Sequence, residues 1–168
     1  QQKGEPEAKP GPFHEVIRKI GLNHEKVHLA SFPDCIDLGK ETGQARLERT
    51  LEEIHKRTPV IYHPFFKSSM EMPGRDINVF GEPDFLVLDG DNYFIRDAKI
   101  SRRITEKSHP EILRQLELYG WLYEQVVGSP CSYQLLWING VIFDILIIKC
   151  ATNRGRSSYD TSIQLKTI

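Results

Sequence analysis

The sequence predicts a single α+β domain in which a mixed β-sheet is flanked by helices. Two segments before residue 60 and one after residue 109 repeat apolar side chains with the period of an amphipathic helix. Strand-length apolar segments lie between and after them, and two pairs of these are separated by hairpin turn residues. A chain of 168 residues has the size of one domain, and this order of elements is typical of a mixed sheet with helices packed on it.

The N-terminal region predicts a disordered tail followed by a long helix. Residues 1–12 are rich in Gln, Lys, Glu, Gly and Pro, so we assign the folded domain to residues 13–168. The helix should end before Pro33, and Gly21 either interrupts it or allows close packing. Its first apolar face is formed by Phe13, Val16, Ile17 and Ile20.

A second helix and a strand are predicted next. Thr42 suits the N-cap of a helix over residues 43–57, whose apolar stripe is spaced i, i+4 and i+7. Residues 58–66 have the pattern of a strand with proline at its edges. Residues 67–75 contain Ser-Ser, Met-Pro and Pro-Gly, which indicate a loop.

The central part predicts two strands joined by a tight turn. Residues 77–88 form the first strand, bent near Gly81 and Pro83, and residues 92–100 form the second. Between them, Asp89-Gly90-Asp91-Asn92 has the composition of a hairpin turn.

The C-terminal part predicts a helix and then a hairpin. Pro110 suits the first position of a helix that continues to Val127 and ends near Gly128. Asn139-Gly140 is the strongest short hairpin signal in the chain. A short last strand is expected within residues 163–168.

The composition limits how this protein could bind a nucleic acid or a membrane. Lys and Arg total 22 against 23 Asp and Glu, so a nucleic acid would have to be bound by a local basic patch and a metal. No apolar run approaches the roughly 20 residues that span a bilayer, and no signal peptide is visible. We therefore expect a cytoplasmic protein (nuclear or mitochondrial in a eukaryotic cell) that does not bind a membrane.

Charged side chains gather at the predicted central hairpin. Asp84 opens the first run, and Asp97 and Lys99 lie two residues apart in the second, so they share a face. The hairpin folds Asp84 toward Asp97, and two close carboxylates repel unless a cation lies between them. Carboxylate oxygens, with the backbone carbonyl of Ala98, are ligands that Mg²⁺ prefers. Lys99 could orient water or stabilise charge, which predicts a phosphodiester substrate.

The spacing of these residues resembles the PD-(D/E)xK signature of a nuclease superfamily. Pro83-Asp84 is followed, after twelve residues, by Asp97-Ala98-Lys99. Gln115 and Tyr119 match the QxxxY motif of the RecB-like branch and lie on one helical face. The segment around His24 resembles the first motif of that branch, so the resemblance covers most of the predicted domain.

The resemblance implies a restriction-endonuclease-like core, a central mixed β-sheet flanked by helices, and roles for individual residues. Asp84 and Asp97 would be catalytic metal ligands, and Lys99 would be the catalytic lysine. His24 would be a further ligand, and its softer imidazole would favour Mn²⁺ as well as Mg²⁺. Some RecB-like nucleases hold an iron–sulfur cluster with four cysteines. This chain has three cysteines and no late cluster of them, so no such centre is expected.

Several neighbouring residues are secondary candidates. Gln115 and Tyr119 would, by the same resemblance, support the site or contact the nucleic acid. Glu82 lies two residues before Asp84 and could be an outer ligand or a ligand of a second metal. Arg102 and Arg103 directly follow the site and could meet phosphate groups, although an ordinary exposed loop is the simpler interpretation.

The implied function is that of a Mg²⁺- or Mn²⁺-dependent deoxyribonuclease. It would act as an exonuclease, or on flaps and single-stranded ends, in DNA repair, recombination or defence. A protein partner such as a helicase would fit, because the chain has no Walker A motif of its own. The alternative is a non-catalytic nucleic-acid-binding or assembly module that keeps the fold, and RNA stays open as a substrate.

Overall fold

The computed structural model describes residues 11–100, 109–129, 132–139, 142–148 and 164–167. Of residues 100, 133–139, 142–148 and 164–167 only the backbone is described. The described elements are α1 (Pro12–Leu29), β1 (Ile36–Asp37), α2 (Gly43–His55), β2 (Val60–Tyr62), β3 (Phe66–Met72), β4 (Arg75–Gly81), β5 (Phe85–Asp89), β6 (Asn92–Ile100), α3 (Pro110–Val127), β7 (Ser132–Asn139), β8 (Ile142–Ile148) and β9 (Gln164–Thr167).

A seven-stranded mixed sheet forms the centre of the molecule, in the order β1-β2-β5-β6-β7-β8-β9. The pairs β1/β2 and β6/β7 are parallel, and the other pairs are antiparallel. A parallel pair cannot be joined by a tight turn, so the chain passes from β6 to β7 through α3. Strands β3 and β4 form a separate antiparallel sheet. The predicted fold class, a mixed α+β sheet with flanking helices, is confirmed.

The short central strands are buried on both faces, which explains their continuous apolar sequences. In β2 and β5, Ile61 and Leu86 face one core cluster together with Leu116 and Leu122 of α3. The alternate positions face a second cluster near the end of α1, formed by Val60, Tyr62 and Phe85 with Leu29, Phe32, Cys35 and Val87. The sheet is therefore packed between α3 on one face and the end of α1 on the other.

Helix α1 differs from its prediction in three ways. It begins at Pro12, within the segment assigned to the tail, and it continues through Gly21 without a break. The remainder of the predicted tail, residues 1–10, lies outside the described residues. The predicted apolar face is exposed, whereas His24 and His28 are buried. No described helix is both long and apolar enough to cross a membrane.

Two predictions in the middle of the chain were wrong. The predicted loop over residues 67–75 is instead the hairpin β3–β4, where Met72 pairs with Arg75 and Gly74 takes a φ of +84° in the turn. Most side chains of this hairpin are exposed, so its polar sequence lacks the apolar alternation that marks a half-buried strand. The predicted strand over residues 77–88 is also divided, because β4 and β5 belong to different sheets.

The predicted strand over residues 58–66 is interrupted as well. Strand β2 ends at Tyr62, and His63 adopts a left-handed φ of +54° before β3 begins at Phe66. Such a backbone conformation is uncommon for a residue other than glycine, and nothing in the local sequence predicts it.

The remaining elements follow the sequence closely. Asp89 pairs with Asn92 across a two-residue turn in which Gly90 has a φ of +60°. Helix α3 begins at Pro110 and is capped by Gly128 in the left-handed conformation. Asn139 pairs with Ile142 in the predicted C-terminal hairpin, and β9 lies within residues 163–168.

Lowering the pH should destabilise the fold through His28. Burial lowers the pKa of His28 to about 4, and the charges of Arg96 and His24 act in the same direction. The imidazole is therefore neutral in the folded protein, whereas the unfolded chain binds a proton below the ordinary histidine pKa of about 6.5. The contribution of His28 is complete above that pH and is lost as the pH falls toward 4. Between pH 7 and pH 5 this loss is about 2 kcal/mol.

The measurement is urea unfolding of the wild type and of His28→Gln at both pH values. Glutamine is neutral and can accept a hydrogen bond from Arg96 Nη1, which lies 3.0 Å from His28 Nε2. The variant should therefore lose about 2 kcal/mol less stability than the wild type on acidification, whatever its stability at pH 7. Equal losses in the two proteins would contradict this account.

Candidate active site

The β5–β6 hairpin brings the two predicted aspartates together. Asp84 directly precedes β5, whose first residue, Phe85, pairs with Arg96 of β6, and Asp97 is the next residue of β6. The charge of Asp97 raises the pKa of Asp84, so the two carboxylates lie close together. The backbone N–H of Ala98 donates a hydrogen bond of 2.7 Å to Asp84 Oδ2, which holds this carboxylate against β6.

The aspartate pair carries excess negative charge in a partly buried place. Asp97 is 1% exposed, Asp84 is half-buried, and Lys99 Nζ lies 2.6 Å from Asp97 Oδ2. Burial raises the pKa of Asp84, and the charge of Asp97 adds to this rise, while the N–H of Ala98 and the charge of Lys99 oppose it. A cation beside the pair would favour the charged form of Asp84.

A cavity of about 320 Å³ opens beside these residues, between α1 and the sheet. Its sheet wall is formed by Asp84, Ala98 and Lys99. Its α1 wall is formed by the acidic Glu25, the basic Arg18, and the apolar or small residues Ile17, Gly21 and Leu22. The cavity is large enough for a phosphate group and part of a sugar or base.

Glu25, rather than the adjacent His24, is the residue that α1 contributes to the cavity. Successive residues on a helix point about 100° apart, so only one of the two can face the site. His24 is 3% exposed, lies one turn from the buried His28, and is not among the cavity-lining residues. Burial lowers the pKa of His24, opposed by the charge of Glu25.

Two residues that sequence reasoning missed orient Glu25. The hydroxyl of Tyr62 donates a hydrogen bond of 2.5 Å to Glu25 Oε1, and His63 Nε2 lies 3.4 Å from the same atom. Burial raises the pKa of Glu25, but the hydrogen bonds from His63 and Tyr62 outweigh it, and the net direction is downward. Glu25 therefore presents an ionised, fixed carboxylate to the cavity. The other ring nitrogen of His63 lies 3.3 Å from Asp37 Oδ1.

The donor set fits a hard divalent cation such as Mg²⁺. Among the described residues, no three His, Cys, Asp or Glu side chains stand close enough to hold an ion by themselves. Mg²⁺ does not require such a group, because it commonly binds through one or two carboxylates and completes its shell with water and substrate phosphate. The pair Asp84 and Asp97 meets that requirement. The imidazole ligand that would favour Mn²⁺ is absent from the cavity lining as described.

The predicted QxxxY residues lie behind the aspartate pair. Gln115 Nε2 donates a hydrogen bond of 2.7 Å to the hydroxyl oxygen of Tyr119. Burial raises the pKa of Tyr119 to about 12, and the charge of Asp97 adds to this rise. Tyr119 is 7% exposed. This arrangement favours the supporting role for the two residues over a direct contact with a nucleic acid.

Gly81 allows the backbone of β4 to pass directly over Tyr119. A Cβ atom at position 81 would lie 2.7 Å from Tyr119 Cδ1 and 2.9 Å from Leu122 Cδ1, both closer than carbon atoms approach without displacement. The sequence indicated a bend here, whereas the structure shows that the glycine is required by close packing.

Glu82, predicted as a possible outer ligand or second-metal ligand, is held by an ion pair to α2. Its Oε2 atom lies 3.0 Å from Nη1 of the buried Arg46, whose Nε donates a hydrogen bond of 2.8 Å to the backbone oxygen of His63. Residues 82–84 do not belong to a strand, so the rule that residues two apart share a face does not apply to them. Arg102 and Arg103 lie outside the described residues.

Comparisons with known proteins leave the family open. No family model matches the sequence, and no curated protein matches it. A solved structure reported as the crystal structure of SSO0001 superimposes with a TM-score of 0.46 at 14% identity, over 85% of this chain and 80% of that one. Function is therefore inferred from the residues of the site.

Replacing Gly81 with alanine should displace Tyr119 and destabilise the protein by about 1–3 kcal/mol, the usual cost of overpacking a core. The measurement is the free energy of unfolding in urea. A double-mutant cycle with Tyr119→Ala supplies the control, because deleting the ring removes the clash with Tyr119 Cδ1 and Cε1. Gly81→Ala should cost clearly less in that background, and an equal cost in both backgrounds would show that the contact does not determine the effect.

Proposed function

We propose that the chain is a Mg²⁺-dependent nuclease that hydrolyses phosphodiester bonds in DNA. The proposal depends on one observation: Asp84 is hydrogen-bonded to the backbone of β6 next to Asp97, and Lys99 lies beside them at the edge of an open cavity. Carboxylates paired in this way fit a divalent cation, and an adjacent ammonium fits a phosphate oxygen. The resemblance of the sequence to the PD-(D/E)xK signature supports the same assignment.

Each residue of the site has a chemical role in this reaction. Water adds to phosphorus, the bond from phosphorus to the leaving sugar oxygen breaks, and that oxygen takes up a proton. Lys99 is partly exposed and can donate hydrogen bonds to the water or to the phosphate oxygens that gain charge. Asp84 and Asp97 would hold the cation, and Glu25 can orient the water from the opposite wall. A bound Mg²⁺ supplies charge neutralisation at the phosphate and lowers the pKa of water.

The finer assignment follows the RecB-like branch that the sequence resembles. There we expect an exonuclease, or an enzyme that processes flaps and single-stranded ends, in DNA repair, recombination or defence. A partner protein such as a helicase would supply unwound ends. The cavity is open on one side, which suits a strand that enters from solvent.

The second candidate is a non-catalytic module that binds nucleic acid or assembles with other proteins. One observation favours it: Lys99 Nζ already contacts Asp97 Oδ2. In such a module the lysine would serve only to neutralise a buried aspartate.

Cleavage of end-labelled linear, circular and flapped DNA with Mg²⁺, Mn²⁺ or EDTA distinguishes the two candidates. The wild type should cleave with Mg²⁺ and lose all activity in EDTA. Lys99→Ala should lower the cleavage rate by at least about 100- to 1,000-fold, because it removes a donor aimed at developing charge. Asp84→Asn should do the same by weakening the cation site.

Lys56→Ala is the matched control, since it removes the same charge from an ion pair with Glu52 at the end of α2. Circular dichroism and thermal melting should show that all the variants stay folded. Full activity in Lys99→Ala, or cleavage that persists in EDTA, would exclude the proposed mechanism. Binding to DNA without cleavage under any metal condition would establish the module instead.

A further inference from the structure

We propose that the open face of the β3–β4 hairpin binds an unpaired nucleobase of the substrate strand close to the scissile phosphate. We call this surface the hairpin face and define it by Lys67, Asn78 and Phe80. The proposal rests on the proposed nuclease function for the identity of its ligand, but its test does not require cleavage.

The register of the hairpin separates a buried face from an open one. Lys67 pairs with Phe80, so these side chains lie on the same side of the two strands. Their neighbours Phe66 and Val79 point the other way and pack in the core against α3. Phe80 is 64% exposed, so its ring is accessible to a ligand.

The hairpin face forms one wall of a second cavity, of about 330 Å³. Gly43 and Gln44 at the start of α2 form another wall, and the buried Phe65 forms its floor. The rings of Phe65 and Phe80 are 6.2 Å apart, so a planar ligand on Phe80 would extend an existing aromatic contact. The cavity thus combines two aromatic rings, an ammonium group and two side-chain amides.

This combination suits a nucleotide. Every base has a π-face that can stack on an exposed phenyl ring, and amide groups can donate to and accept from base edges. Lys67 forms no ion pair with any carboxylate of the described residues, so its charge is available for a phosphate. The first turn of α2 contains no acidic residue, so the partial positive charge of the helix N-terminus is not neutralised there.

The charges of the hairpin limit the contact to its base. At the distal end of the same face, Glu71 pairs with Asp76, and two opposed carboxylates would repel a phosphate backbone. The base of the hairpin leads directly into the site, because only three residues separate Phe80 from Asp84. The four residue steps from Phe80 to Asp84 span at most about 14 Å, or about four nucleotides at the rise of about 3.4 Å per base.

A direct test measures binding in EDTA, where no cleavage occurs. The probe is a fluorescein-labelled single-stranded DNA of about 12 nucleotides, read by anisotropy. Phe80→Ala should weaken its binding about tenfold, within the range of about 1–3 kcal/mol for one base stacked on an aromatic ring. Phe80→Trp should bind at least as tightly as the wild type. Met70→Ala is the control, because Met70 is 39% exposed on the opposite face of the same hairpin.

Two further arms identify the contacts. Lys67→Ala should reduce the slope of log affinity against log salt by about one, as expected for the loss of one phosphate contact. Blunt duplex DNA has no unpaired base, so its binding should be insensitive to Phe80→Ala. If Phe80→Ala and Met70→Ala bind the single strand equally well, or if the duplex is affected as strongly as the single strand, the proposal is overturned.

The outcomes also separate this proposal from the nuclease proposal. Normal Mg²⁺-dependent cleavage with unchanged binding in Phe80→Ala would reject the hairpin face and leave the nuclease intact. Weaker binding in Phe80→Ala, in a protein that cleaves under no metal condition, would retain the hairpin face and reject the nuclease. Failure of the wild type to bind the single strand at all would reject the hairpin face.

Discussion

The rest of the site depends on two carboxylates that the fold holds close together. Asp84 is half-buried and accepts a hydrogen bond from the residue that follows Asp97, and Asp97 is almost completely buried. Such a pair is unfavourable in isolation, because two close negative charges repel each other. The fold stabilises the pair by placing a hydrogen-bonding or charged group beside each aspartate. Asp84 accepts the N–H of Ala98, and Asp97 contacts the ammonium of Lys99. One positive charge against two carboxylates, with Glu25 nearby, still leaves a place for a cation.

The segment that leads into Asp84 is held at three points. Gly81, the last residue of β4, packs on the Tyr119 ring of α3, and Glu82 forms an ion pair with Arg46 of α2. The backbone oxygen of Asp84 accepts the N–H of His63, which follows β2, over 2.8 Å. Since residues 82–84 belong to no strand, such contacts replace the ladder of hydrogen bonds that would otherwise fix their position. The position of one carboxylate thus depends on several separate parts of the fold.

The sequence predicts the parts of this site that depend on short-range geometry. A two-residue turn and the alternation of strand side chains suffice to place Asp84, Asp97 and Lys99 together, and the spacing of Gln115 and Tyr119 suffices for their hydrogen bond. The parts of the site that the sequence does not predict depend on packing between residues that are far apart in the chain.

Two kinds of error show this limit. Which residue of α1 faces the site depends on how the helix is rotated against the sheet. His24 was predicted as a ligand from the resemblance of its segment to a family motif alone, whereas Glu25 lines the cavity. Arg46, Tyr62 and His63 act across sheets and helices and carry no local motif. The β3–β4 hairpin was missed because an exposed hairpin needs no apolar alternation.

The overall charge of the chain does not attract a polyanion, so any attraction must come from the site itself. The net charge is −1, and the cavity contains Glu25 and Asp84 beside the buried Asp97. Arg18 lines the same cavity but is 2.7 Å from Glu15, which reduces its attraction for phosphate. These negative charges repel a phosphate, so in the proposed reaction a cation held by Asp84 and Asp97 would help to bind the substrate as well as to hydrolyse it. In the proposed complex, stacking of a base on Phe80 would add a contact that does not depend on this balance of charges.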